Sequence, residues 1–322
     1  MKSLKETLHK ETSDEALLLR RPIVSVLMLA YNHEPYLAQA IESVLAQETT
    51  FPYELLIGED CSTDKTLLVA LSYQRKVPER VRVIAWNANV GMQRNHNHLI
   101  DLARGEFIAF CEGDDYWLGK NKLQQQVDFM RSHPECGLVH GNYLNLIQIA
   151  GAWRVRVAFR SQSQLRFRSG DIYAAMLEAN RIQTCTVLCR RGIAAEYRRS
   201  RPAAEQYLVG DWPLGLYFAH ESTIGFMKHP IAAYRRTPGS VMNSGSRAAL
   251  HRGLDAIRMI GEEKYRMWLL YLGGVAMALQ DGSARIFQTV ASKQVQRGHS
   301  GMPPTREHLY AIDSPRRLPR VA

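Results

Sequence analysis

The sequence predicts an α/β fold: a mainly parallel central sheet with helices on both faces, followed by a C-terminal helical extension. Three observations predict it. Short apolar runs rich in Val and Ile recur without polar alternation, as strands buried on both faces require. Segments with apolar residues at helical spacing separate them, giving the strand-helix-strand order of parallel crossover units. Each run also stops at a polar cluster, and in such sheets ligands collect beyond the carboxyl ends of the strands.

Residues 1–20 are a charged lead-in, read as helical or frayed. Ile23–Leu29 (IVSVLML) is the first strand. Pro35 suits the first turn of the next helix, where its missing N–H costs nothing, and Ile41, Val44 and Leu45 form that helix's apolar stripe. Tyr53–Gly58 (YELLIG) is the second strand, and Ser62, Thr63 and Asp64 are candidate caps and first-turn acid for the helix after it. Val81–Trp86 is the third strand, NANVG a turn, and 92–104 a helix stopped by Gly105. EFIAFC is the fourth strand, NKLQQQVDFMRSHPE a helix ended by His133 and Pro134, and Gly137–Gly141 a short fifth strand. Past about residue 145 the pattern loosens. WRVRVAFR reads as an edge or hairpin strand, DIYAAMLEAN as a helix and Thr184–Arg190 as a strand. GDWPLGLYFAHES reads as a turn entering a helix with Pro213 in its first turn, and AAYRR as a last short strand. Residues 248–280 read as an amphipathic helix or helix pair, with Tyr265, Leu269, Leu272, Ala276 and Leu279 on one face. Beyond Asp281, richness in Gly, Ser, Pro and Arg predicts disorder. The expected organisation is a lead-in over 1–20, one domain over 21–245 with halves 21–141 and 142–245, an extension over 246–281 and a basic tail over 282–322.

Hydrophobic residues make up 46% of the 322 and charged residues 22%, as in an ordinary folded protein with ample core. Lys and Arg outnumber acids 41 to 31, a formal charge of +10, which points to a polyanionic partner. The Arg clusters at Arg154–Arg168, Arg190–Arg201 and Arg316–Arg320 lack the interleaved aromatics of a nucleic-acid platform. A phosphorylated substrate or a membrane surface is therefore expected, and no nucleic acid. Cys61, Cys111, Cys136, Cys185 and Cys189 are odd in number and lack zinc spacing, so they read as buried thiols in a reducing compartment. The N-terminal segment has no signal-peptide core, and the longest apolar run, Trp268–Leu279, is too short to span a bilayer. A cytoplasmic protein is expected, with peripheral contact at the inner face of the membrane left open.

Four rim clusters carry the chemistry: YNHE, GEDCSTD, NANVG and EGDDYW, each just after a strand. Glu112, Asp114 and Asp115 crowd three negative charges onto one turn. A hard divalent cation relieves that repulsion, and Mg2+ in particular is usually held by one or two carboxylates plus substrate phosphates. An isolated acidic turn is more often a solvated cap, so the other clusters decide. Asp60, with Glu59 before it, can accept hydrogen bonds from a base edge or ribose, or can close an Asx-turn. Tyr31 can stack on a flat ring. Gly91, after Asn89, permits close backbone approach, and Arg94 can bind phosphate as a fork. Neither a Walker A sequence nor G-x-G-x-x-G is present, so a nucleotide must be held another way, with a metal bridging its diphosphate.

Together VSVLMLAYNHEPYLAQAIESVLAQ, YELLIGEDCSTDKT, NVG and GEFIAFCEGDDYWLGKNKLQQQVDF resemble the family-2 glycosyltransferases of the GT-A fold. The match runs in order over about Ile23 to Gly141 and reappears at GDWPL and AAYRRTPGSV. The resemblance implies transfer of a sugar from a nucleotide-diphosphate donor, expected to be a UDP-sugar, to an acceptor hydroxyl, with inversion and with Mn2+ or Mg2+ as cofactor. It implies Tyr31 against the base, Asp60 on the base with Glu59 beside it, and Arg94 at the diphosphate. Asp114 and Asp115 match the metal and ribose motif, with Glu112 in the place of a first aspartate. Asp211 matches the catalytic base, although it also suits an N-cap. Many relatives read Y-R-x-H near the end of the domain. Here Thr237 takes the histidine's place, with Arg235, Arg236 and Ser240 as candidate substitutes at the diphosphate or closing loop. Basic charge and the 248–280 helix suggest a saccharide or lipid-linked saccharide acceptor, as in cell-surface polysaccharide or glycolipid assembly, although for the helix itself packing on the domain's own core is the favoured reading. Two alternatives are a nucleotidyltransferase-like relative, which needs no base such as Asp211, and a non-catalytic nucleotide-sugar-binding scaffold.

Overall fold

A computed structural model of the chain describes residues 9–149, 151–156, 169–201 and 210–237, all within one unit, Met1–Glu262. The expected extension over 246–281, the tail over 282–322 and Ser240 lie outside the described residues.

Ten described strands form one sheet. In chain order they are β1 His9–Thr12, β2 Val24–Ala30, β3 Tyr53–Glu59, β4 Val81–Trp86, β5 Phe107–Phe110, β6 Tyr116–Trp117, β7 Cys136–Ile149, β8 Ala152–Arg156, β9 Leu188–Arg190 and β10 Thr223–Arg236. Their spatial order is β1-β4-β3-β2-β5-β9-β7-β10-β6, with β8 as a hairpin on β7. The central part is mostly parallel: β4, β3, β2 and β5 all run the same way, and β10 runs parallel to β7. The apolar runs explain this, since every residue of β3 and β5 is buried.

The helices are α1 Glu34–Leu45, α2 Thr66–Lys76, α3 Met92–Leu102, α4 Lys122–Ser132, α5 Tyr173–Glu178, α6 Arg191–Ser200 and α7 Asp211–Glu221. They cover both faces. Val24, Val26 and Met28 pack toward α1, α2 and α4, through Leu37, Ile41, Val44, Ala70, Leu123 and Val127. The alternate residue Leu27 packs toward α3, α5, α6 and α7, through Leu99, Ile100, Met176, Ala194, Tyr197 and Phe218.

At the amino ends of β2, β3 and β4, opposite the rim, a buried polar girder ties four strands. Glu54 is fully buried, and its carboxylate accepts from Ser25 Oγ at 2.6 Å, Arg82 Nη1 at 3.2 Å and Arg104 Nε at 2.8 Å. Arg82 Nε continues to Glu11 of β1 at 2.8 Å. Gly105 lets the chain pass here, because a Cβ on it would lie 2.6 Å from the Ser25 amide nitrogen.

Several elements differ from the sequence reading. Part of the charged lead-in is an edge strand, held by Glu11 on Arg82 and by His9 against Trp86. The short strands expected at Gly137–Gly141 and AAYRR are parts of 14-residue strands. The division expected at residue 141 thus falls inside β7. The run Thr184–Arg190 is a 3-10 turn, Thr184–Thr186, followed by β9. Helix α6 has no counterpart in the sequence reading; four of its ten residues are charged and it buries only Ala194 and Tyr197.

Candidate active site

The carboxyl ends of β2, β3, β4 and β5 gather YNHE, GEDCSTD, NANVG and EGDDYW on one rim, as parallel pairing requires. Side chains lace these loops together. Asn32, at φ 54°, accepts the Thr63 amide at 2.9 Å, and its own amide donates to Ser62 Oγ at 3.0 Å. Asp64 accepts the Glu34 and Thr66 amides at 3.1 and 2.9 Å, so it joins two loops and starts α2 at once. Tyr31 is 44% exposed beside this lacing and presents its ring to solvent.

Glu59 is buried, and its Oε1 accepts the Ser62 amide at 2.7 Å. Asp60 is 3% exposed, and its two oxygens accept the Val90 and Gly91 amides at 2.7 and 3.0 Å. Burial raises the Asp60 carboxyl above its usual range, and the two amides oppose that. The expected base-reading carboxylate therefore clasps the next loop with both oxygens. Gly91 stands at φ 84°, in the left-handed region that favours glycine, and Asn89 is exposed beside it. Arg94 does not join the acid turn. Its guanidinium lies 5.7 Å from the Trp86 ring centroid at the end of β4, three strand spacings from β5, or about 14 Å.

The acid turn divides its three carboxylates. Asp115 is 1% exposed; its Oδ1 accepts the Arg235 amide at 2.8 Å, and it bonds the Cys185 thiol. Burial, with Asp114 and Glu112 adding to it, pushes its carboxyl well above the usual range. Asp115 thus joins the turn to β10. Glu112 Oε2 is buried with no hydrogen-bond partner, and burial, reinforced by Asp114 and Asp211, pushes that carboxyl up to about 8. Asp114 is partly open, with its side chain 16% exposed. Its Oδ2 accepts from Thr237 Oγ1 at 3.4 Å and stands 4.0 Å from His33 Nε2. Beneath the turn lies Lys122, 1% exposed, 4.0 Å over the Trp117 ring and bonded to Gln126 at 2.7 Å. Burial lowers its ammonium to about 7.

Arg235 is also committed. It donates to the Asp114 carbonyl at 2.8 Å and to Gln39 Oε1, and its guanidinium sits among the Tyr36, Tyr116 and Trp153 rings at 4.6–5.9 Å. It holds the turn in shape. Arg236 is exposed on β10. Thr237, at the missing histidine's place, is 6% exposed against Asp114.

Asp211 is the first residue of α7, and the cap position is Gly210, which makes no side-chain cap bond. Its Oδ1 accepts the Trp212 amide at 2.7 Å; its Oδ2 accepts from Asn180 Nδ2 at 3.2 Å and Thr184 Oγ1 at 3.4 Å. Asp211 lines one cavity with Phe110 at the end of β5, two residues before Glu112, so α7 reaches this end of the sheet across almost 100 residues of chain, and the charge of Asp211 adds to the rise at Glu112.

Among the described residues, no group of three or more His, Cys, Asp and Glu side chains forms a cage for a metal ion. The donor set fits a different kind of site. One partly open carboxylate, Asp114, with the unpartnered Glu112 Oε2 behind it, suits a Mg2+-type ion that completes its shell with substrate phosphates. His33, Lys122, Asn180 and Thr184 were missed by the sequence reading. Only His33 carried a signal there, as part of YNHE; the rest needed the fold.

Residues 25–196, more than half of the chain, match the model of glycosyl transferase family 2. The chain belongs to that family. An uncharacterized protein of Mycobacterium tuberculosis, Rv1520, is 33% identical to this family-2 chain over 221 residues, covering 69% of the chain and 61% of the relative. A Bacillus subtilis protein provisionally named teichuronic acid biosynthesis glycosyltransferase TuaG is 36% identical over 110 residues, 34% of the chain and 42% of the relative. The chain thus spans less than two thirds of either relative's length. In fold it resembles the mannosyltransferase PcManGT of Pyrobaculum calidifontis, solved with GDP-Man and Mn2+, at TM-score 0.53 and 13% identity, covering 82% of this chain and 83% of that one. The GT-A fold expected of family 2 is the fold observed.

Proposed function

We propose that the protein is an inverting glycosyltransferase that moves a sugar from a nucleotide-diphosphate donor, a UDP-sugar in the first instance, to an acceptor hydroxyl. The observation that carries this reading is that Asp211 lines one cavity with Phe110, two residues before Glu112 of the acid turn. A base and a diphosphate-facing carboxylate on one rim are what the displacement needs, and family membership supports it. Asp211 accepts the proton of the acceptor hydroxyl as its oxygen bonds to the anomeric carbon. The carbon–oxygen bond to the diphosphate breaks on the opposite face, which gives inversion. Mg2+ or Mn2+, bound by Asp114 and the donor's phosphates, would supply positive charge to the leaving group. Tyr31 offers its exposed ring to the base, and the Asp60-held loop at Gly91 offers close backbone approach. Arg94 and Arg235 do not serve the diphosphate in this reading, and Asp115 acts through the turn's shape.

The relative named for teichuronic acid biosynthesis supports an acceptor in cell-surface polysaccharide or glycolipid assembly, a saccharide or its lipid-linked form. Among the described residues no helix is long and apolar enough to cross a membrane. Peripheral membrane contact, expected from residues 248–280, falls outside the described residues. The test is transfer from a panel of UDP- and GDP-sugars with Mn2+. Asp211→Asn is expected to lower turnover by about 100-fold or more while donor binding persists. Undiminished transfer in that variant sinks the assignment, and absence of transfer or donor hydrolysis across the panel in the wild type favours a binding scaffold.

A further inference from the structure

Two side chains remote from the rim clusters converge on one oxygen of Asp211. Asn180 Oδ1 accepts the Ile182 amide at 3.0 Å, which fixes the orientation of the Asn180 amide and turns Nδ2 toward Asp211 Oδ2 at 3.2 Å. Thr184 Oγ1 reaches the same oxygen at 3.4 Å. The segment carrying both is strapped to α5: the Arg181 amide donates to Met176 Sδ at 3.3 Å, and Arg181 Nε donates to the Ala175 carbonyl at 3.4 Å. The start of α7 is tied to the same helix, since Trp212 Nε1 donates to the Met176 carbonyl at 2.7 Å. Donors and acceptor therefore hang from one short helix, which sets their spacing.

The surroundings make those donors matter. Asp211, Thr184 and His96 line a small cavity walled by Phe110, Leu138 and Leu214, with room for about one water molecule. A carboxylate at the edge of such a cavity keeps one orientation only where fixed donors hold its oxygens.

We propose that Asn180 and Thr184 are positioning residues that hold Asp211 Oδ2 and aim the carboxylate for proton acceptance. The inference rests on the reading of Asp211 as base. It assigns a function to the 179–184 segment, which touches none of the rim loops in the sequence reading. Both side chains act through Asp211.

Steady-state kinetics of the full-length protein test this, with donor turnover read from UDP-glucose, UDP-N-acetylglucosamine and GDP-mannose in the presence of Mn2+. Asn180→Ala is expected to lower kcat about tenfold while the donor KM stays in place, since the carboxylate loses a fixed donor and the donor site is untouched. Thr184→Val should lower kcat in the same way, and Thr184→Ser should restore it. A role confined to packing would lower the thermal midpoint and leave kcat in place. Unchanged kcat in Asn180→Ala and Thr184→Val overturns the proposal. If Asn180→Ala fails to fold, the Thr184→Val and Thr184→Ser pair decides. Transfer by Asp211→Asn from the same three donors is scored separately. Retained transfer overturns the base reading itself, whereas lost transfer with unchanged kcat in the Asn180 and Thr184 variants overturns only the holding role.

Discussion

At the scale of single residues, charges that look alike in the sequence have unlike fates. Asp114 and Asp115 are neighbours, yet one faces the rim and the other is sealed under β10 by the Arg235 amide. Asp114→Asn, which keeps the side chain's size and its acceptor for Thr237, should remove the extra thermal stabilisation that Mn2+ adds to bound UDP. An undiminished Mn2+ effect in the variant would count against Asp114 as ligand. His96 gives a pH prediction. It is buried, stacked on Phe110 at 5.1 Å, with Nδ1 unpartnered, and burial lowers it to about 4. Below about 6.5 the unfolded chain takes up this proton and the folded chain does not, until pH nears 4. The contribution is thus fully present above 6.5 and is lost as pH falls through that window. His96→Phe should flatten the acid side of the stability curve by on the order of 2 kcal/mol between pH 7 and 4.5, read by urea unfolding. Parallel curves for the two proteins would refute it.

At the scale of elements, the girder beneath β1 to β4 predicts a large effect far from the rim. Glu54→Ala leaves Arg82 and Arg104 without their shared buried carboxylate and should cost about 3–5 kcal/mol in urea unfolding. A loss below about 1 kcal/mol would show that the guanidinium groups find water instead. Elements with plain patterns were legible: β4 lies where its apolar run predicts, and the helices after β2, β3 and β4 start within a few residues of expectation. Elements shaped by tertiary partners were not. Strand β10 shifts register on both sides of Pro230, which has no amide hydrogen for the ladder, so its two apolar stretches read as unconnected. Helix α6 has two buried residues among charges, too few to mark a face. The same split holds at the site. Rim residues announced themselves by following strands, whereas Asn180, Thr184 and Lys122 act by contacts across the fold. The guanidinium groups expected at the diphosphate lie beside aromatic rings, Arg94 at Trp86 and Arg235 at Tyr116, contacts that only the fold reveals.

At the scale of the whole molecule, a donor that binds only the folded state must stabilise all of it. Saturation at about 100 times Kd adds roughly 2.7 kcal/mol, or roughly 5–10 °C in Tm for a domain of this size. Thermal scans with UDP- and GDP-sugars should single out the donor by that rise, and a panel with no rise would speak against nucleotide-sugar binding. One feature of the sheet bears on how the chain is made. The FIAF strand, β5, is buried along its whole length, with β2 on one side and β9 on the other. Its second neighbour, Leu188–Arg190, is translated almost 80 residues later. At ordinary elongation rates that edge stays open for roughly ten seconds on the ribosome. The nascent first half is therefore the species most prone to stick to its own copies, and slower translation through the segment before Leu188 should lower the soluble yield.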